Sequence, residues 1–299
     1  MSPAQATTKR IAILADVHGN LPALEAVLED IEVQAPDEVL VGGDLVGRGP
    51  QGSAVIREIR RRGWVSIRGN HEEYLLSFRR QDVPPDWLHL DEWAAARWMA
   101  AELSEDDIEY LGTLAFSARC DSIPQLLLTH GSPVATSDGL GPWTRASKLD
   151  RLLAGIEESV LVCGHTHRPM VRELDHGLVV NVGSVGLPFN GDRRAQYAIL
   201  TWVDGDCRVE LRQVEYDLEA TLSAYRTTGF FEAGGVTAEL LRLELLHATP
   251  FLVPFQRWAD AIGKPPETSR LDEFLDFYEP DEPLRDFFLR IESMFERPC

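Results

Sequence analysis

Residues 11–20 read Ile11-Ala12-Ile13-Leu14-Ala15-Asp16-Val17-His18-Gly19-Asn20, five apolar residues that run straight into a polar elbow. A continuous apolar run, without the alternation of a half-wet strand, predicts a strand covered on both faces. Asn20 is a good helix N-cap and Pro22 is tolerated in a first turn. Leu21, Leu24, Val27, Leu28 and Ile31 then recur at helical spacing. A strand that feeds a helix through such an elbow is the repeating unit of a parallel α/β sheet.

The unit recurs along the chain. The run Val39 to Val41 ends in Gly43-Asp44, and a helix is read over Val55 to Arg62. The run Trp64 to Ile67 ends in Gly69-Asn70-His71-Glu72. Further on, the run at Leu126 ends in His130-Gly131, and the run at Val160 ends in Gly164-His165-Thr166-His167. Five strands thus deliver carboxylate, amide and imidazole groups to their carboxyl ends, the edge where open α/β sheets bind ligands. Neutral imidazoles with carboxylate and amide oxygens suit manganese, iron or zinc better than Cu(I) or a calcium cage. In an extended segment residues i and i+2 point the same way. That spacing predicts that Asp16 and His18 reach one ion together and that His165 and His167 approach a shared site. Asp44 has two oxygens and can bridge two cations, while the adjacent glycines let backbone and ion come close. Each piece alone is commonplace; five in order, each after an apolar run, form a specific set.

The 299 residues allow one large α/β domain and a smaller appendage. The net charge of −19 argues against general binding to nucleic acid or anionic lipid. Bound divalent cations would dominate the local field at a site and admit an anionic substrate. The absence of a run of eighteen apolar residues predicts no membrane span. The polar segment Met1 to Lys9 lacks the apolar stretch of a signal peptide and predicts a cytoplasmic protein. Cys120, Cys163, Cys207 and Cys299 show no paired spacing, which argues against a disulfide framework or a cysteine zinc site. Cys163 reads as a small buried strand residue.

Residues 81–111 break the rhythm. Pro84 and Pro85 open a loop, and Leu90, Trp93, Ala94, Trp98 and Ala101 fall on one helical stripe. Core packing is the expected role of the tryptophans, rather than capping a substrate pocket. Ser104 with Asp107 predicts an N-cap, and the acidic cluster Glu102 to Asp107 reads as a solvated face. Leu178 to Asn181, Tyr197 to Trp202 and Val209 to Val214 are strand-like, several with alternating polarity, and predict mixed or antiparallel strands. From Leu218 onward the pattern is helical. In the tail Leu284, Phe287, Phe288, Ile291 and Phe295 share one face, with breaks at Pro265-Pro266 and Pro280. This predicts a main domain over residues 1–245 and a C-terminal helical extension over 246–299, docked on the main body or on a second subunit as a homo-oligomer.

The ordered pieces Asp16-Val-His18, Gly43-Asp44, Gly69-Asn70-His71-Glu72, His130-Gly131 and Gly164-His165-Thr166-His167 resemble the calcineurin-like metallophosphoesterases over roughly residues 10 to 245. The stretch Asn181-Val-Gly-Ser184-Val-Gly186 resembles their compact bacterial and archaeal single-domain phosphodiesterases. The resemblance implies an α/β fold of two mixed β-sheets packed as a sandwich with helices outside, plus C-terminal helices. It implies two divalent metal ions, manganese foremost, with iron, zinc, nickel or cobalt as other occupants. One ion would take Asp16, His18 and His167, the other Asn70, His130 and His165, with Asp44 between them. It further implies metal-dependent hydrolysis of phosphoester bonds, in which a hydroxide bridging the ions attacks phosphorus in line. Asp44 and His71 would be catalytic, and Asn70, His71 and Arg48 would bind substrate. His71 would contact the phosphate and protonate the leaving oxygen.

One departure stands out. Protein-phosphatase relatives carry Asp-Arg after the Gly-Asp, whereas here Gly47 precedes Arg48. The carboxylate that would orient His71 is therefore absent. Arg48, Arg68 and Arg168 are candidates for phosphate contact, while turn chemistry accounts for Ser132 and Ser184. The expected partner is a small phosphoester or nucleotide, phosphodiesters favoured; phosphomonoesters or phosphoproteins, or a non-catalytic interaction module on the same fold, are the alternatives. Gly47-Arg-Gly49-Pro-Gln-Gly52 fits a dinucleotide-binding pattern in form only, because Asp44 would repel the pyrophosphate.

Overall fold

The structure is a computed structural model that describes residues 8–295, without the side chains of 293–295. The expected packing of Phe295 and the position of Cys299 lie outside the described residues. Strands and helices alternate at first: β1 (Lys9–Leu14), α1 (Leu21–Gln34), β2 (Glu38–Val41), α2 (Gly52–Arg62), β3 (Val65–Ser66) and α3 (Asn70–Arg80). Next come α4 (Ala94–Glu102), α5 (Glu105–Thr113), β4 (Ser117–Arg119), β5 (Leu126–Thr129), α6 (Ala146–Ala154) and β6 (Val160–Cys163). Four strands follow, β7 (Met170–Leu174), β8 (Gly177–Asn181), β9 (Ala195–Val203) and β10 (Asp206–Val214). The remainder is helical: α7 (Leu218–Thr227), α8 (Phe230–Ala233), α9 (Gly235–His247), α10 (Leu252–Ala261), α11 (Leu271–Phe277) and α12 (Leu284–Phe295).

The strands form two five-stranded mixed sheets, ordered β10-β9-β1-β2-β3 and β4-β5-β6-β8-β7. In the first, β1, β2 and β3 run parallel and β9 is antiparallel to β1. In the second, β5, β6 and β8 are parallel and flanked by antiparallel β4 and β7. Ile11, Ile13, Leu40, Leu128, Val162 and Val180 meet between the sheets. The alternate residues of β1, Ala12 and Leu14, are buried instead under α1 and α2, against Leu24, Val27, Val55 and Ile59. The second sheet's outer face, Leu127, Leu161 and Val179, is covered by Leu149 and Leu153 of α6. Both faces of each central strand are thus dry, which is why the runs show no alternation. Each fully buried Leu, Ile or Val side chain contributes about 1.5–3 kcal/mol. The expected two-sheet sandwich with outer helices is the observed fold.

Local signals fare unevenly. Asn20 caps α1, its Oδ1 accepting from Ala23 N at 3.2 Å, with Pro22 in the first turn. Ser104 and Asp107 form the expected capping box. Asp107, however, is not on a solvated face: it is buried and accepts from Ser53 Oγ and Ser104 Oγ, each at 2.7 Å. The strand expected over Trp64 to Ile67 shrinks to Val65–Ser66, because this is a sheet edge where Val65 is exposed. The stripe from Leu90 to Ala101 is corrected as well. Leu90 is exposed, a 3-10 turn occupies Asp91–Trp93, and α4 begins only at Ala94. In this turn Asp91 accepts from Val236 N and Thr268 Oγ1. Strands β4 and β7, short edges, have no apolar run to announce them.

Helix α9 joins two cores. Ala238, Leu241 and Leu245 face the main core, while Val236 and Leu240 join an aromatic cluster built from α10, α11 and α12. Phe251, Phe255, Trp258, Phe274, Tyr278 and Phe287 fill that cluster. The tail therefore docks on the main body of its own chain. Among the described residues no helix is long and apolar enough to cross a membrane.

Candidate metal centre

The elbows that follow β1 and β2 are zipped together. Asp16 N donates to Gly43 O at 3.0 Å, His18 N to Asp44 O at 2.9 Å, and Gly19 N to Leu45 O at 2.9 Å. Within these elbows the backbone is not extended. Asp16, His18, Asp44, His165 and His167 all have positive φ, from 51° to 65°. The i, i+2 argument for an extended segment therefore does not apply. Asp16 and His18 come together because the chain curls left-handed at both. Such conformations are costly for residues with a Cβ, and they gather where surrounding structure enforces them for function.

This curl brings the side chains into two groups. Ligand atoms of Asp16, His18 and His167 lie within 4.8 Å of one another, and so do those of Asp44, His130 and His165. His165 and His167 thus part company, one to each group. Asp44 Oδ2 stands between them, 3.2 Å from His130 Nε2 and 3.7 Å from His18 Nε2. Asn70 Oδ1 joins the second group, 3.1 Å from His130 Nε2 and 2.8 Å from His165 Nδ1. Two glycines make the approach feasible. A Cβ on Gly69 would lie 2.1 Å from Asp44 Oδ1, and one on Gly164 would lie 2.3 Å from Asp16 Oδ2.

The donor chemistry fits a cation. Nδ1 of His18, His130 and His167 faces the carbonyls of Val46, Gly42 and Leu187, at 3.3, 2.8 and 2.6 Å. A carbonyl only accepts, so Nδ1 carries a proton in all three and Nε2 turns inward, with a free lone pair on His18 and His167, the outer-contact pattern of metal-bound imidazole. Two such lone pairs, on His18 and His167, face each other at 2.9 Å, a repulsive contact that a cation between them relieves. Asp16 Oδ1 is buried beside them without a hydrogen-bond partner, which is costly for a carboxylate oxygen. Burial and the neighbouring His167 hold His18 well below its ordinary value. Burial also opposes charge on His130, but Asp44 and then Asp16 outweigh it and raise that group to about 10. The centre thus attracts positive charge between Asp16 and Asp44.

A family model described as the calcineurin-like phosphoesterase superfamily domain matches residues 10–205. The chain belongs to this superfamily. Within it, the chain is similar to phosphodiesterase YfcE of Escherichia coli, with 26% identity over 201 residues, 64% of this chain and 86% of that protein. An uncharacterized protein of Methanocaldococcus jannaschii is 25% identical over 226 residues, covering 70% and 88% of the two chains. The crystal structure of a metallophosphoesterase from Sphaerobacter thermophilus superposes with a TM-score of 0.65 at 26% identity, covering 81% of this chain and all of that one. The likeness is to the compact, single-domain members of the calcineurin-like phosphoesterases.

For this calcineurin-like phosphoesterase, the expected donors Asp16, His18, Asp44, Asn70, His130, His165 and His167 converge at one end of the sandwich. His71 joins them: its backbone N donates to Asp44 Oδ1 at 2.8 Å, and its ring lies edge-on to His18. Arg48 Nε donates to His71 Nε2 at 3.2 Å, so the ring is oriented by a guanidinium. Burial, with Arg48 adding to it, lowers His71 to about 3. Gly47 permits the contact, since a Cβ there would meet His71 Nδ1 at 2.4 Å. Arg68 instead pairs with Glu73 at 3.5 Å, and Arg168 lies over the Trp143 ring. Ser132 Oγ accepts from Val134 N, and Ser184 Oγ donates to Asp16 O, both turn contacts.

Two residues of this phosphoesterase had received no role from sequence. Glu72 is fully buried and accepts from the backbone N of Asp44, Leu45 and Gly69 at 2.9, 2.7 and 2.7 Å. It clamps the elbow that carries Asp44 to the start of α3. Glu244, in α9, is paired with Arg48 at 3.1 Å. Glu72 belongs to the Gly69-Asn70-His71-Glu72 motif, its signal in the sequence; Glu244 has no such signal.

Proposed function

We propose that the chain is a dinuclear-metal phosphodiesterase that hydrolyses small-molecule or nucleotide-type diesters. The observation that carries this reading is the pair of inward-facing donor sets that share Asp44. Asp16, His18 and His167 would hold one divalent ion, and Asn70, His130 and His165 the other, with Asp44 common to both and manganese the first candidate. Such ions would supply acidity to water and neutralise charge on the phosphoryl oxygens. In the reaction a water oxygen bonds to phosphorus, the phosphorus–oxygen bond to the leaving alcohol breaks, and that alcohol takes up a proton.

The chain's own residues have distinct tasks. Asn70 and His71, side by side at the start of α3, orient a phosphoryl oxygen. Arg48 lies against His71 and offers further N–H groups to an anion. In the resting geometry His71 Nε2 accepts from Arg48, so His71 donates a proton to the leaving oxygen only after the substrate draws Arg48 away. The name of the YfcE relative, a phosphodiesterase, supports diesters over monoesters. The same proposal divides the chain into a catalytic domain over 1–245 and an extension over 246–299. It also takes the cytoplasm as the working compartment, in keeping with the free Cys120, Cys163 and Cys207.

The test is to quantify bound metal and assay bis-p-nitrophenyl phosphate and p-nitrophenyl phosphate with added Mn²⁺. Hydrolysis should require divalent metal, favour the diester, and fall roughly a hundredfold in Asp44→Asn. Metal-loaded protein that cleaves neither compound, or an Asp44→Asn variant of full activity, would overturn the reading.

A further inference from the structure

Next to the candidate centre lies a cavity of about 280 Å³ that the chemistry above does not use. Asn70, His71 and His165 of the centre line it. Trp93, Leu241 and Leu252 supply apolar wall, and Arg48, Glu92 and Gln256 supply polar groups. The wall residues Leu241 and Leu252 come from α9 and α10, beyond residue 205 where the superfamily match ends. This wall of the cavity therefore lies outside the matched segment, whereas Glu92 and Trp93 lie within it.

Size and polarity narrow the occupant. Cavities for drug-sized ligands run from about 300 to 1,000 Å³, so this one takes a single ring system and excludes a folded phosphoprotein loop. Glu92 and Gln256 stand together in the wall, Gln256 Nε2 donating to Glu92 Oε2 at 3.4 Å. A carboxylate and an amide oxygen accept from ring amino groups, as they do at base edges in other settings. The same carboxylate repels a second phosphate, which disfavours polyphosphate chains.

We infer that this cavity is a base subsite, and that the substrate is a phosphodiester carrying one amino-bearing nucleobase, seated between Trp93 and Leu241 while its phosphate meets Asn70 and His71. The inference rests on the phosphodiesterase reading and adds the identity of the ester group. Trp93 then serves the pocket as well as the core, through its stack on Trp87 at 3.8 Å between ring centres.

Two substrates with the same leaving group isolate the subsite: the p-nitrophenyl ester of adenosine monophosphate and methyl p-nitrophenyl phosphate. In wild type kcat/KM should favour the nucleoside ester by roughly tenfold or more, the equivalent of about one net hydrogen bond. Val253→Trp fills the mouth from an exposed position, and Gln256→Ala removes the amide; each should cut the ratio to near one. Calorimetric titration with adenosine monophosphate against ribose 5-phosphate reads the subsite without turnover and should favour the nucleotide by about the same factor. Equal kcat/KM for the two esters together with equal affinity for the two phosphates, or ratios unmoved in both variants, overturns the subsite. Tighter nucleotide binding without hydrolysis of either ester retains the subsite and removes the phosphodiesterase reading alone.

Discussion

Arg48 Nη1 stands 3.1 Å from Oε2 of Glu244, a carboxylate only 1% exposed in α9. The other oxygen of Glu244 accepts from Phe251 N and Leu252 N, each at 2.9 Å. One buried carboxylate thus fastens the arginine beside His71 and also the start of α10. Tyr225 OH donates to Arg48 O at 2.8 Å and fixes the same arginine from α7.

Glu244→Ala should therefore act on stability and on catalysis together. Removing one partner of a buried pair costs about 3–5 kcal/mol, and Arg48 is partly solvated, which points to the lower end. Calorimetry should record the loss as a lower Tm. In Glu244→Gln, which keeps the size and an acceptor oxygen, kcat should fall more than KM rises, since Arg48 then loses its fixed bearing on His71. An unchanged kcat in the glutamine variant would leave the tie purely structural.

Glu72→Ala should empty the centre without touching a donor. Four backbone N–H groups, of Asp44, Leu45, Val46 and Gly69, lose their side-chain acceptor, and each unmet buried donor costs about 1–3 kcal/mol. The elbow carrying Asp44 would loosen, and manganese affinity should fall roughly 10- to 100-fold. Equilibrium dialysis with metal analysis gives the number; an affinity equal to wild type would remove the clamp from the account.

Chelation should lower thermal stability and Mn²⁺ should restore it. The facing imidazoles and the unpartnered Asp16 Oδ1 give the folded chain an affinity that the unfolded chain lacks. At a metal concentration of a hundred times Kd the gain is about 2.7 kcal/mol. Melting curves with and without chelator measure it, and coincident curves would deny the centre a metal.

The pH dependence of stability should carry a signature of Asp30. Arg212 Nε and Nη2 reach its two oxygens at 2.7 and 2.9 Å, and Tyr197 OH donates to it at 2.6 Å. The Arg212 contact holds its carboxyl below the ordinary value, against the opposing effect of burial, and Tyr197 adds to the lowering. The contribution is fully present above the unfolded value near about 4. It disappears as pH falls through the lower folded value. The Tm gap between wild type and Asp30→Asn should stay constant above about pH 5 and close below it.

What the sequence disclosed is what local physics encodes. Ile11 to Ala15, Val39 to Val41 and Val160 to Cys163 are buried on both faces, so their continuous apolarity exposed the parallel strands and the ends where donors gather. Asn20 and Ser104 announced their helices because caps act within three residues. The left-handed turns at Asp16 and His18 were hidden, since nothing in an Asp-x-His triplet separates a strand end from a curl. The partnership of Arg48 with Glu244, 196 residues apart, arises only from the way α9 packs. The turn at Asp91–Trp93 likewise makes contacts with Val236 and Thr268, far along the chain, that the stripe it interrupts does not encode.

The positive φ shared by Asp16, His18, Asp44, His165 and His167 bears on how this protein would respond to selection. Glycine is free of the left-handed penalty that each of these residues bears, of order 1–2 kcal/mol. A library screened for heat resistance alone would therefore be drawn toward glycine at the very positions whose side chains face the centre. Stabilised clones from such a screen would carry a quieter backbone and no donors. Any engineering of this chain has to be scored on metal retention at the same time as melting temperature.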